Sequence, residues 1–63
     1  MGVFKALTKE EALTLVREGK GKFLGTRIFW EKISPRRILV YSFDEGLGVY
    51  TRPFKAPLRK GEW

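Results

Sequence analysis

A chain of 63 residues with no cysteine and no histidine must hold its fold without the staples that domains of this size commonly use. A domain this short buries only about 60% of the surface its unfolded chain exposes. Disulfides, and metal sites built on thiolate or imidazole, are excluded because the residue types are missing. What remains is aromatic mass, namely five Phe, two Tyr and two Trp, or docking onto something larger that completes the core. The chain also lacks Asn and Gln, and its one Met is the first residue, while Lys, Arg and Glu are plentiful. Heat-labile side chains are thus absent together, which points to a thermophile.

The local pattern gives one helix followed by strands. Residues 8–11 read TKEE, a capping box in which the Thr8 hydroxyl accepts from the Glu11 amide and the Glu11 carboxylate accepts from the Thr8 amide. Ala12, Leu13, Leu15 and Val16 recur at helical spacing, Arg17 lies in the last turn and Gly19 offers a left-handed stop. The spacing predicts a helix over about 9–18. Fewer than three turns do not stand alone in water, so its apolar stripe must pack on a sheet.

Strands are expected at about 22–31, 37–43 and 47–52. In KFLGTRIFWEK, residues 22–32, Phe23, Arg27 and Phe29 share one parity while Leu24, Ile28 and Trp30 share the other, so both faces are largely apolar. Residues 37–43 are β-branched and aromatic, and DEGLG at 44–48 supplies a glycine-rich turn, so 37–52 reads as a hairpin. Pro53 and Pro57 cannot donate ladder hydrogen bonds, which makes the tail an extended edge or an irregular strap ending at Trp63, expected to be disordered or docked on a partner. The fold class that follows is α+β in a single domain, 1–63: a short N-terminal helix packed on a small antiparallel sheet or SH3-like partial barrel.

Charge is distributed unevenly. Residues 1–20 hold four bases and three acids, net +1, whereas residues 21–63 hold nine bases and four acids, net +5, which together give the +6 of the chain. Cations meet phosphates and release counterions, while flat side chains stack on bases or wedge into grooves. On this ground the candidate nucleic-acid-binding residues are Arg27, Trp30, Arg36, Arg37, Arg52, Lys55, Arg59 and Lys60. Five of the seven bases are Arg, whose planar fork engages phosphate bidentately. The competing reading makes them solvated charges paired with Glu31, Asp44, Glu45 and Glu62. Trp30, Tyr41, Tyr50 and Phe54 are candidate stacking rings, but a small core claims most of its aromatics. Trp30 is selected because it ends its predicted strand among charges and a proline-bearing loop.

The segment VYSFDEGLGVYTR, residues 40–52, resembles the central hairpin of the seven-kilodalton chromatin proteins of Sulfolobales in Phe43, Asp44, Glu45, Gly46, Gly48 and Arg52. The resemblance implies an archaeal SH3-like five-stranded barrel with a terminal helix. It also implies binding to duplex DNA through the minor groove, without sequence preference and with kinking by apolar wedges. Arg52 would then face DNA, and Trp30 would stand where that family has a DNA-contacting Trp. The family's helix follows the barrel, whereas the helix read here precedes the strands, and the family's intercalating apolar pair has no aligned counterpart.

Catalysis is not expected. Without His or Cys the commonest general bases and nucleophiles are missing, Asp44 and Glu45 diverge from adjacent turn positions, and GKG at 19–21 lacks phosphate-loop spacing. No cofactor is implied. No run approaches the roughly 18 apolar residues of a membrane span and the start has no signal-peptide core, so a cytoplasmic protein without membrane partners is expected. The function read from the sequence is non-enzymatic binding of DNA or RNA, mainly through backbone phosphates. The alternative is a small accessory or viral protein docking on a larger machine such as a ribosome or RNA polymerase. Either a monomer or a homodimer formed by edge pairing fits the chain.

Overall fold

The computed structural model describes residues 5–63. Its elements run β1 (Ala6–Thr8), α1 (Lys9–Arg17), β2 (Gly21–Leu24), β3 (Ile28–Ser34), β4 (Arg37–Asp44) and β5 (Val49–Pro57). All the strand pairings are antiparallel, in the order β1-β5-β4-β3-β2. The sheet curls into a half-barrel with the helix packed on it, and α1 touches both outermost strands, β1 and β2.

The helix is bounded as its sequence requires. Glu11 N donates to Thr8 Oγ1 at 3.1 Å and Thr8 N donates to Glu11 Oε1 at 2.9 Å, so the capping box is complete. At the other end Gly19, at φ 79°, lets its own amide reach Val16 O and the Lys20 amide reach Leu15 O at 2.8 Å. Those two bonds form a Schellman stop, which needs a left-handed residue where glycine has no Cβ to clash. The packed stripe is narrower than expected: Ala12 is fully buried and Leu15 half-buried, but Leu13 and Val16 are exposed. Leu13 lies about 100° round the helix from Ala12, on the side away from Leu15, whereas Val16, about 40° from Ala12, sits at the rim of the contact.

The single strand expected over 22–31 is two strands. Gly25, at φ 75°, turns the chain, and Phe23 pairs with Phe29 and Leu24 with Ile28 across a three-residue loop. An odd loop preserves parity, so the alternation read along the sequence still sorts these side chains by face. The strand expected from 47 starts at 49, because Gly48 N donates to Asp44 O at 2.7 Å and Leu47 N to Asp44 Oδ1 at 3.1 Å, which holds residues 45–48 in the turn. It also runs on to Pro57, through both prolines. β1 covers only residues 49–51, so 52–57 is an open edge where a missing donor costs no ladder bond and discourages pairing by another chain.

One face of the sheet carries the core: Leu7, Ala12, Phe29, Tyr41 and Tyr50, flanked by Leu15, Leu39 and Phe43. Phe29 and Tyr50 are 5.7 Å apart, Phe23 lies 5.0 Å from Phe29, and Phe43 lies 5.0 Å from Tyr50, in tilted or edge-on pairs. Such pairs add about 0.5–1.5 kcal/mol each beyond the area they bury. Tyr41 and Tyr50, considered as stacking rings from sequence, are therefore core residues. The Tyr41 hydroxyl donates to Glu31 Oε1 at 2.6 Å, and that carboxylate also meets Lys5 Nζ at 3.3 Å.

Burial, reinforced by the Glu31 carboxylate, raises the Tyr41 pKa well above its ordinary value. In the unfolded chain Tyr loses its proton near pH 10, while the fold retains it. The unfolded state therefore binds fewer protons above that pH, so this stability is full below pH 10 and lost as pH rises. Denaturant midpoints at pH 9 and 11 should fall more steeply for the parent than for Tyr41→Phe; equal falls would remove Tyr41 as the cause.

Gly21 sits where the helix end crosses β2. A Cβ there would lie 2.5 Å from Phe29 Cζ, 2.9 Å from Leu15 Cβ and 3.0 Å from the Val16 amide nitrogen. Gly21→Ala should therefore destabilise by about 1–3 kcal/mol, the range for overpacking, measured by chemical denaturation. An unchanged midpoint would mean that the helix can shift freely.

Candidate nucleic-acid interface

Strand parity places the opposite face of the sheet away from the ring cluster, and the pairing register lines its residues up in rows. One row is Ile28, Ser42 and Thr51, the next Lys22, Trp30, Val40 and Phe54, and the third Lys32, Ile38 and Ala56. In the middle row Phe54 is 58% exposed, while Trp30 and Val40 are half-buried. The Lys22 ammonium lies 5.7 Å from the centre of the Trp30 ring.

The tail returns along this face. Leu58 N donates to Arg36 O at 2.8 Å, Lys22 Nζ donates to Glu62 O at 3.0 Å, and Lys32 Nζ sits 5.6 Å from the Trp63 ring centre. Ile38, on the same parity, is buried, and so is Leu58. The expected strap is real from Leu58 onward, and Trp63, expected to be disordered or on a partner, rests against Lys32 of its own chain.

The eight residues singled out from sequence fall into groups. Arg36, Arg59 and Lys60, with Pro35 and Leu58, line a cleft of about 410 Å³ between the β3–β4 turn and the start of the strap, and no carboxylate lines it. Arg37, the first residue of β4, adjoins it, opposite Pro57. Among the described residues none of these four cations is in an ion pair. The nearest acid along the strap, Glu62, turns its carboxylate to the Arg59 backbone amide at 2.8 Å instead.

Arg27 and Arg52 line a second groove, of about 270 Å³, with Ser42, Phe43, Asp44, Glu45 and Thr51. Its charge is mixed, and Arg27 Nη2 meets Glu45 Oε2 at 3.4 Å in a pair that is about 70% exposed on both sides. A pair this open contributes at most about 1 kcal/mol and opens readily. Trp30 does not end a strand, as the sequence suggested, but is the third of seven residues in β3. Lys55 pairs with Leu39, on the parity of the core, so the structure does not bring it to the same face as Phe54. Lys22 and Lys32 were not singled out from sequence; the register that sets Lys22 beside Trp30 depends on the unexpected turn at Gly25, and Lys32 meets Trp63 through the returning tail.

Arg52 has a backbone that its side chain does not favour. Two residues, Arg52 and Pro53, oppose Tyr41 alone, which makes a bulge, and Arg52 is the one non-glycine among the described residues with positive φ, 56°. A left-handed non-glycine residue costs roughly 1–2 kcal/mol, and a following proline narrows its options further. Arg52→Gly should therefore stabilise the fold by about 1 kcal/mol, measured by chemical denaturation. Loss of stability would contradict a strained backbone at this position.

No helix among the described residues is long and apolar enough to cross a membrane, and they contain no group of three or more acidic side chains placed to hold a metal ion. The chain matches no protein-family model, no curated protein and no solved structure.

Proposed function

We propose that this protein is a non-enzymatic nucleic-acid binder that holds DNA or RNA mainly through backbone phosphates, with little reading of base sequence. The observation that carries this is the cleft walled by Arg36, Arg59 and Lys60 and adjoined by Arg37, four exposed cations none of which is in an ion pair among the described residues. Three of the four are Arg, whose fork fits phosphate oxygens in pairs. A net charge of +6 on 63 residues adds a field that draws polyanions to the surface. The likeness of residues 40–52 to the crenarchaeal chromatin hairpin supports the same reading, with the half-barrel as an SH3-like variant at work in the cytoplasm of a thermophilic archaeon or its virus.

A phosphate-held complex is indifferent to base order. Titration at about 50 mM salt with two duplexes of unrelated sequence and equal length should give affinities within roughly threefold of each other. No binding to either would overturn the proposal, and a large preference for one would overturn its phosphate-dominated form. The second reading, docking on a larger protein assembly, draws on Leu13 and Val16, 48% and 37% exposed on the helix. A partner retained after nuclease treatment would favour it.

A further inference from the structure

We infer that the outer face of the sheet is a stacking platform for unpaired bases, so that the preferred ligand is single-stranded nucleic acid. This rests on the nucleic-acid reading above and adds to it the class of ligand. Phe54, Val40 and Trp30 are direct cross-strand neighbours on β5, β4 and β3, with Lys22 of β2 completing the row. Strand spacing puts Phe54 and Trp30 about 10 Å apart, room for two or three bases lying on one sheet. Phe54 is 58% exposed, an apolar ring left in water in a chain whose core needs every ring it has. Phosphate contact alone gives that ring nothing to do, whereas the face of a base, which duplex stacking hides, covers it.

Charge complements the rings on both sides of the row. The groove holding Arg27 and Arg52 borders it at Ser42 and Thr51. Beyond its other side lies Lys32, beneath Trp63, and then the cleft of Arg36, Arg59 and Lys60. A strand laid from one groove to the other would place phosphates near cations at each end and bases over Phe54 and Trp30 between them. Rings that accept any base, set in a positive track, bind single strands without sequence preference. The prolines of β5 favour this over growth of the sheet, since residues 52–57 beside Phe54 form an edge that accepts another strand poorly.

The test compares a fluorescently labelled oligothymidylate of about twelve nucleotides with a duplex of equal length, at about 100 mM salt. The parent should bind the single strand more tightly, and Phe54→Ala should lower that affinity roughly five- to a hundredfold while leaving duplex affinity within about twofold. Phe54 is exposed, so this variant keeps the fold. In a Trp63→Phe background, the remaining fluorescence reports Trp30 and should be quenched by the oligothymidylate. Equal affinity for both forms, unmoved by Phe54→Ala and without quenching, would overturn the platform but leave the nucleic-acid reading standing. Binding to neither form would overturn both.

Discussion

Phe29→Ala should leave the domain largely unfolded at 25 °C. Phe29 is fully buried and holds Phe23, Tyr41 and Tyr50 around it at centroid distances of 5.0, 6.2 and 5.7 Å. Truncating a buried Phe costs about 3–5 kcal/mol in transfer energy and cavity formation. A single core in a domain of this size supplies little more than that in total, about 3–5 kcal/mol. No disulfide exists to hold the chain together in compensation. Loss of near-ultraviolet circular dichroism and of a cooperative denaturant transition is the expected readout. A cooperative transition within about 1 kcal/mol of the parent would mean that the ring cluster is not the core.

The second large effect is on binding. Replacing Arg36, Arg37, Arg59 and Lys60 together with alanine should reduce the salt dependence of duplex affinity by about 3.6 in the log–log slope, since each neutralised phosphate contributes about 0.9. Affinity at about 50 mM salt should fall roughly tenfold for each phosphate no longer neutralised, because the counterion effect enters as nearly the first power of salt per phosphate. All four residues are exposed and unpaired among the described residues, so the fold should persist. Arg17, in the last turn of α1, and Lys20, just past its Gly19 stop, are exposed and provide the control. Their double alanine variant should leave the slope nearly unchanged if the cleft is the phosphate site, and an equal drop in affinity from both variants would assign binding to bulk charge.

The parts of the fold that were legible are those set by neighbouring residues. TKEE fixes the helix start through reciprocal side-chain bonds, Gly19 fixes its end through one backbone conformation, and DEGLG fixes the β4–β5 turn through Asp44 and Gly48. The β2–β3 turn was hidden because GTR offers a single glycine and no Asn, Asp or Pro, while the flanking residues alternate without a break. β1 has three residues, and only its pairing with Val49–Thr51 makes it a strand.

The candidate site divides in the same way. Charge was legible, because an adjacent Arg36–Arg37 pair and an Arg59–Lys60 pair stand out in any reading. Their meeting around one cleft depends on β5 running through two prolines and on Leu58 bonding to Arg36, a contact spanning 22 residues (58 − 36). Which rings are displayed was not legible either. Tyr50 and Phe54 share parity along the sequence, yet the extra residue at Arg52–Pro53 shifts Phe54 to the outer face, while Tyr50 stays inside.

The central claim is that phosphates are held by this cationic surface, and the most direct measurement is affinity for a duplex across a salt series. With about six phosphate contacts, the log–log slope should be near −5, a loss of roughly a thousandfold between 50 and 200 mM. A slope near zero, or no measurable complex at the lowest salt, would contradict it.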